Sequence, residues 1–289
     1  MSRFFPESFP CPKCGKPVQF GIVASVNASR RPDFRQAILD GTFQCSTCPE
    51  CSTSFRIEPE LTYLDSDRKQ WILVQPAAQV ADWPVLEEQA RQTFDRAYGA
   101  TAGAAVRELG ASLQARITFG WAALREKILC VEHALDDVTL ELLKVALVRS
   151  MDDVPLRNQT ELRLLALEGE EFLLSWLVAE AELPLETMRV PRSLYDEILA
   201  APADWNELKA QVSAGPFVDF KRLILPADEP QDAEIATAAN SLAPNAPDSA
   251  KESATAKQKK LATASKGNSK PPASRAGAKP AKKPLKKKK

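Results

Sequence analysis

The chain has 289 residues, 44% hydrophobic and 26% charged, with 38 Lys/Arg balanced by 38 Asp/Glu and one histidine. That length suits one large or two ordinary domains, and no apolar run reaches the ~20 residues a membrane-spanning helix needs. A single histidine excludes HExxH hydrolases, multi-histidine metal sites and most histidine-dependent relays.

No apolar signal-peptide core follows Met1, so the chain is expected to stay in a reducing, cytoplasmic compartment with its six cysteines unbridged. The first motif is Cys11-Pro12-Lys13-Cys14-Gly15. Two thiolates two residues apart, on a turn opened by Pro and closed by a small residue, offer two soft ligands to one metal. Residues 18–26 then read as a strand, and residues 32–39 as a short helix begun by Pro32, with Gly41 just past its end. A second knuckle follows 33 residues after the first, Cys48-Pro49-Glu50-Cys51-Ser52. Cys11, Cys14, Cys48 and Cys51 together complete a tetrahedral four-thiolate set, the preference of structural Zn2+. Paired knuckles also bind iron, and the reducing compartment with the structural logic favours zinc. A closed set leaves no coordination position for substrate, so the site points to construction rather than catalysis.

Cys45-Ser46-Thr47-Cys48 has the same spacing and offers an alternative ligand pair. Cys48 with Cys51 is preferred, because Pro49 mirrors Pro12 and Ser52 stands where Gly15 stands. Cys45 is then a spare, part-buried thiol, or the resolving partner that releases zinc on oxidation. Residues 54–64 and 70–75 read as a β-hairpin turning at Asp65-Ser66-Asp67. Residues 1–80 are therefore expected to form a zinc-ribbon-like β domain that folds with its metal.

Residues 81–225 read as a mixed α+β body, giving the chain an α+β class. A helix is expected over 83–98 with Asp82 as N-cap. Residues 121–135 carry Leu124, Ile128, Val131 and Leu135 on one helix face, and Asp136-Asp137 open another helix to about Arg149. Residues 162–168 and 171–178 read as a hairpin around Gly169-Glu170; 195–200 and 205–212 read as short helices before Leu223-Ile224-Leu225. Cys130 and His133, three apart on a helix, are the best catalytic candidates, and a core thiol beside a partly exposed histidine explains them more cheaply. Asp136-Asp137 and Asp152-Asp153 suit caps and solvated loops better than a cation site. Neither a phosphate loop nor a GxGxxG turn occurs, so no enzyme is expected.

Residues 226–289 are rich in Ala, Pro, Ser and Lys, a composition that cannot bury enough apolar surface to fold, and are expected to be disordered. The stretch that opens at Lys251 and ends at Lys289 holds 14 basic residues and one acid, a net +13, while the remainder holds 24 basic and 37 acidic, a net −13. The zero total thus hides an acidic body and a cationic arm. Such an arm binds nucleic acid without sequence preference through counterion release, folds back on the acidic body, or aids solubility.

Cys11-Pro12-Lys13-Cys14-Gly15, Leu39-Asp40-Gly41-Thr42, Cys48-Pro49-Glu50-Cys51 and Leu61-Thr62-Tyr63-Leu64-Asp65 together resemble the bacterial CpXC-domain proteins over about residues 8–76. Residues 119–147, with Leu124-Arg125-Glu126-Lys127-Ile128 and Asp136-Asp137, look like the region that follows that domain. The resemblance implies Cys11, Cys14, Cys48 and Cys51 as metal ligands, and no biochemical activity. Ser52 in place of the family's glycine and the extra Cys45 are departures from it. The resulting expectation is a non-enzymatic zinc-binding adaptor with an unidentified protein partner and a nucleic-acid-binding arm. Its rivals are a zinc-thiolate redox sensor switched by Cys45 and an enzyme built on Asp136, Asp137 or Asp153.

Overall fold

In the computed structural model, which describes residues 3–155 and 159–225, the chain opens with a β-hairpin. Strand β1 (Arg3–Pro10) pairs antiparallel with β2 (Pro17–Asn27), Pro10 facing Pro17, so the first knuckle forms the tip. Along β2 the residues Val18, Phe20, Val23 and Val26 are buried. Helix α1 (Pro32–Leu39) begins at the proline that presets its first φ and ends at Gly41, which takes φ +71. Strands β3 (Cys45–Thr47) and β4 (Ser54–Arg56) then form a small two-stranded sheet with the second knuckle at its tip.

The continuous strand expected over 54–64 is corrected here. Pro59 has no N–H to give a ladder, and the chain divides into β4 and β5 (Leu61–Asp65), which belong to different sheets. Strand β6 (Gln70–Gln75) pairs antiparallel with β5. A 3-10 turn (Ala77–Asp82), α2 (Trp83–Tyr98) and α3 (Ala104–Ser112) lead to β7 (Gln114–Phe119), parallel to β6. Asp82 precedes α2 as expected, yet its carboxylate makes no capping hydrogen bond. The first sheet has the order β1-β2-β5-β6-β7. A division at 80/81 falls between β6 and β7, which are neighbours in that sheet.

Helices α4 (Gly120–Glu132) and α5 (Asp137–Ser150) form the middle of the molecule. α4 packs on β6 and β7 on one side and on the next strand, β8 (Thr160–Glu168), on the other. β8, β9 (Glu171–Val178) and β10 (Leu183–Pro191) make an antiparallel sheet in the order β10-β9-β8. Leu162, Leu164, Phe172, Leu174 and Trp176 from β8 and β9 join α5, α6 (Arg192–Ala200) and α7 (Asn206–Val212) in one core. The expected β8–β9 hairpin turns at Gly169 with φ +60. Strands β1, β3, β7 and β10 and helix α3 are not anticipated from the sequence. β1 and β10 contain prolines and lie at sheet edges, where a missing donor is tolerated. The basic arm expected over 226–289 lies outside the described residues. No described helix is long and apolar enough to cross a membrane.

A network of charges holds the layers together. Lys144 Nζ of α5 lies 2.6 Å from Glu126 Oε1 of α4 and 3.0 Å from Glu141 Oε1. Arg163 of β8 reaches Glu126 (3.0 Å), Glu161 (2.8 Å) and Asp219 (2.8 Å). Lys127 pairs with Asp137 (3.2 Å) and Glu141 (3.3 Å), and Arg116 Nε donates to Asp137 at 2.8 Å. The carboxylates also accept backbone donors, Leu164 N on Glu126 (2.7 Å) and Phe220 N on Glu141 (3.1 Å). Buried ions persist only when paired and hydrogen-bonded in this way.

Burial alone would raise Asp137 and Asp219. Lys127 and Arg116 around the first, and Arg163 and Lys144 around the second, instead hold both well below the usual carboxylate range. Their contribution to stability is therefore complete above the unfolded value of about pH 4 and is lost as pH falls toward the lower folded values. Arg163→Met strands Glu161 and Asp219, leaves Glu126 with Lys144 alone, and is expected to lower unfolding free energy by about 3–5 kcal/mol in urea titration. Glu88→Ala, which removes the exposed Arg91–Glu88 pair (3.3 Å), is expected to change it by less than about 1 kcal/mol.

Candidate metal centre

The two knuckles fold by the same local rule. In the first, Gly15 N donates to Cys11 O at 2.9 Å and Cys11 N to Lys16 O at 2.8 Å. In the second, Ser52 N donates to Cys48 O at 2.9 Å and Cys48 N to Thr53 O at 2.9 Å. Each turn is closed by a left-handed residue, Gly15 at φ +70 and Ser52 at φ +58. Each also aims the amide two residues past its second cysteine at that sulfur, Lys16 N–H at Cys14 and Thr53 N–H at Cys51. Four equivalent local decisions thus set two pairs of thiols.

Packing brings the pairs together. Phe20 of β2 lies between Phe9 of β1 and Phe55 of β4, with ring centroids 5.8 and 5.3 Å away, so the two hairpins share a small apolar shelf. Cys11 and Cys48 are buried on that shelf, Cys51 is half-buried and Cys14 is exposed. Cys11 Sγ stands 3.6 Å from Cys51 Sγ, Cys14 Sγ stands 3.7 Å from Cys48 Sγ, and all four sulfurs lie within 4.8 Å of one another. A tetrahedral zinc with Zn–S bonds of about 2.3 Å places its sulfurs roughly 3.8 Å apart. The donor set and its spacing fit that ion.

The thiols are electrostatically unequal. Contacts with the Thr53 hydroxyl, 3.3 Å from Cys51 Sγ, and with the Thr53 amide bring Cys51 down to about 6. The Lys16 amide favours ionisation of Cys14, yet desolvation and the other three thiols outweigh it and push Cys14 up to about 12. Cys14 therefore keeps its proton near neutral pH unless a cation joins the group. Metal uptake must release protons, so it weakens in acid.

The structure gathers Cys11, Cys14, Cys48 and Cys51 and leaves Cys45 out of the group. Cys45 is exposed rather than part-buried, with its thiol 3.3 Å from Gly41 O. Of the other candidates, Cys130 is 1% exposed and burial pushes its thiol up, away from reactivity. Among the described residues no hydrogen bond joins it to His133, which caps the end of α4 through its backbone. Asp136 is the N-cap of α5, accepting Thr139 N at 2.9 Å, and Asp137 is held by Arg116 and Lys127. Asp152 and Asp153 are exposed after α5. These carboxylates are not brought to one place. Sequence reasoning missed Thr53 and Lys16, although their equivalent positions after each second cysteine were a usable signal.

The family model described as CpXC protein matches residues 9–144, from the strand before the first knuckle to Lys144 of α5. No curated protein and no solved structure matches the chain.

The paired knuckles set up a direct comparison. Left-handed backbone costs a non-glycine residue about 1 kcal/mol, and nothing lies within 4 Å of a Cβ built on Gly15. Gly15→Ala is thus expected to destabilise by about 1 kcal/mol through the backbone alone, and Ser52→Gly to stabilise by a similar amount, both read by urea unfolding.

Proposed function

Residues 9–144 belong to the CpXC family, and from that premise we propose that the chain is a non-enzymatic zinc-binding interaction module. The observation that carries this reading is the convergence of four sulfurs from two matching hairpin tips. Bound there, zinc supplies a crosslink between β1–β2 and β3–β4, in a region whose own apolar shelf is small. All four donors are cysteines of the protein, which favours a structural role over a catalytic one. The rigid surface so made is read as the docking face for a protein partner. The cationic stretch from Lys251 to Lys289 is read as a tether that holds nucleic acid by releasing counterions.

A second reading, a zinc-thiolate redox sensor, is favoured by the exposure of Cys14 and Cys45. In it, low-dose peroxide releases zinc from the wild type and not from Cys45→Ser. Zinc retention at that dose removes this reading.

Two measurements test the main proposal. Replacing Cys11, Cys14, Cys48 or Cys51 singly by Ser is expected to abolish stoichiometric zinc, measured by elemental analysis, while Cys45→Ser retains it. Loss from Cys45→Ser with retention in Cys51→Ser reverses the ligand assignment. Duplex DNA binding across a salt series is expected to be steeply salt-dependent for the full chain and absent from a chain ending at Leu225. The log–log slope then counts engaged phosphates at about −0.9 each. Equal behaviour of the two chains removes the tether.

A further inference from the structure

The β3–β4 hairpin meets the second sheet through a charged joint. Arg56 closes the base of the hairpin opposite Cys45, with the second knuckle at the other end. Its Nε donates to Phe43 O at 2.9 Å, and its guanidinium lies over the Trp121 ring of α4 at 4.1 Å. Its Nη1 donates to Glu182 Oε2 at 2.8 Å, while the other oxygen of Glu182 accepts Arg125 Nη2 from α4. Trp121 Nε1 ties the same corner to Ile57 O at 2.8 Å. Arg56 and Arg125 lie inside the matched family region, and Glu182 lies outside it.

Glu182 is the last residue before β10, and its φ is +50. A glutamate stays in that left-handed conformation only where its surroundings hold it. Here two arginines hold it, at a corner where all three side chains are 20% exposed or less, so solvent screens the attraction only partly. The hairpin that presents Arg56 has three residues per strand, too few to persist without help. Beyond the packing of Phe55 on Phe20, a metal held at the four-cysteine site would supply that help.

We propose that metal occupancy of the four-cysteine site controls the order of the 179–182 turn and the start of β10, through the contact of Arg56 with Glu182. This rests on the metal-binding reading above. With the crosslink gone, the hairpin loosens and Arg56 withdraws. Glu182 then keeps one arginine, its left-handed backbone relaxes, and the exposed Leu183 and Leu185 beside it move with it. The coupling is reciprocal: whatever factor the metal adds to the joint, the joint adds to metal affinity.

Hydrogen exchange of the full chain, with zinc bound and after removal by chelator, tests the proposal. Stripping is expected to speed exchange at 45–56 and also at 179–186, leaving 137–150 unchanged, with protection restored on re-addition of zinc. Loosening of 45–56 with no change at 179–186 overturns it. Glu182→Gln and, separately, Arg56→Met are expected to weaken zinc binding in a competition titration by about 5-fold or more. Wild-type affinity in both variants overturns the coupling while leaving metal binding intact. A wild-type chain that takes up no zinc overturns both readings.

Discussion

A charge taken out of water must find its partner, and in this protein the partners come from distant stretches of chain. Glu126 on α4 is neutralised by Lys144 on α5 and by Arg163 on β8, and Arg163 in turn holds Asp219, which caps a C-terminal 3-10 turn (Phe220–Leu223). None of these side chains can stay charged and buried unless the others are in place. The two helices, the second sheet and the C-terminal turn are therefore bound to one mutual arrangement. Apolar packing alone tolerates small slippages of helix on sheet, whereas a buried ion pair displaced from its partner loses its compensation at once. The matched family region ends at Lys144, so the network also ties that region to the β8–β10 sheet beyond it.

The four thiols at the hairpin tips obey a similar constraint. Phe9, Phe20 and Phe55 bring the hairpin tips together, but this shelf is small and the sulfurs gather against their own electrostatics. A divalent ion bound among them would resolve that conflict and crosslink the hairpins. Arg56 links the second-knuckle hairpin to the chain before β10. It stands at the base of the hairpin, stacks on Trp121 and meets Glu182, so the order of the metal site and the order of the second sheet share a side chain.

Much of the local structure was legible because its signals are local. Pro32 and Gly41 mark α1, the carboxylate of Asp136 caps α5, and Gly169 turns the β8–β9 hairpin, each through a conformational preference of the residue itself. The choice of Cys48 with Cys51 over Cys45 with Cys48 was equally local. Pro49 and Ser52 repeat the frame of Pro12 and Gly15, and the backbone hydrogen bonds of the two turns match. Where the reading stopped short, the cause was tertiary. β7 has a strand only because β6 offers it a parallel edge, and β10 exists because β9 pairs with it. The break between β4 and β5 was signalled by Pro59, but not the sheet each half would join.

The sequence by itself determined the two knuckles, the donor chemistry of the four cysteines, most helix boundaries and the split between an acidic body and a basic end. These follow from residue type and short spacing, which act within a few bonds or within one turn. Only the tertiary structure decided that Lys127, Lys144 and Arg163 would be buried, which carboxylates would answer them, and that Glu182 would face Arg56 across 126 residues of chain. Charged residues in a sequence read as solvated by default. Their burial is fixed by what packs over them, and that depends on where distant strands and helices come to rest.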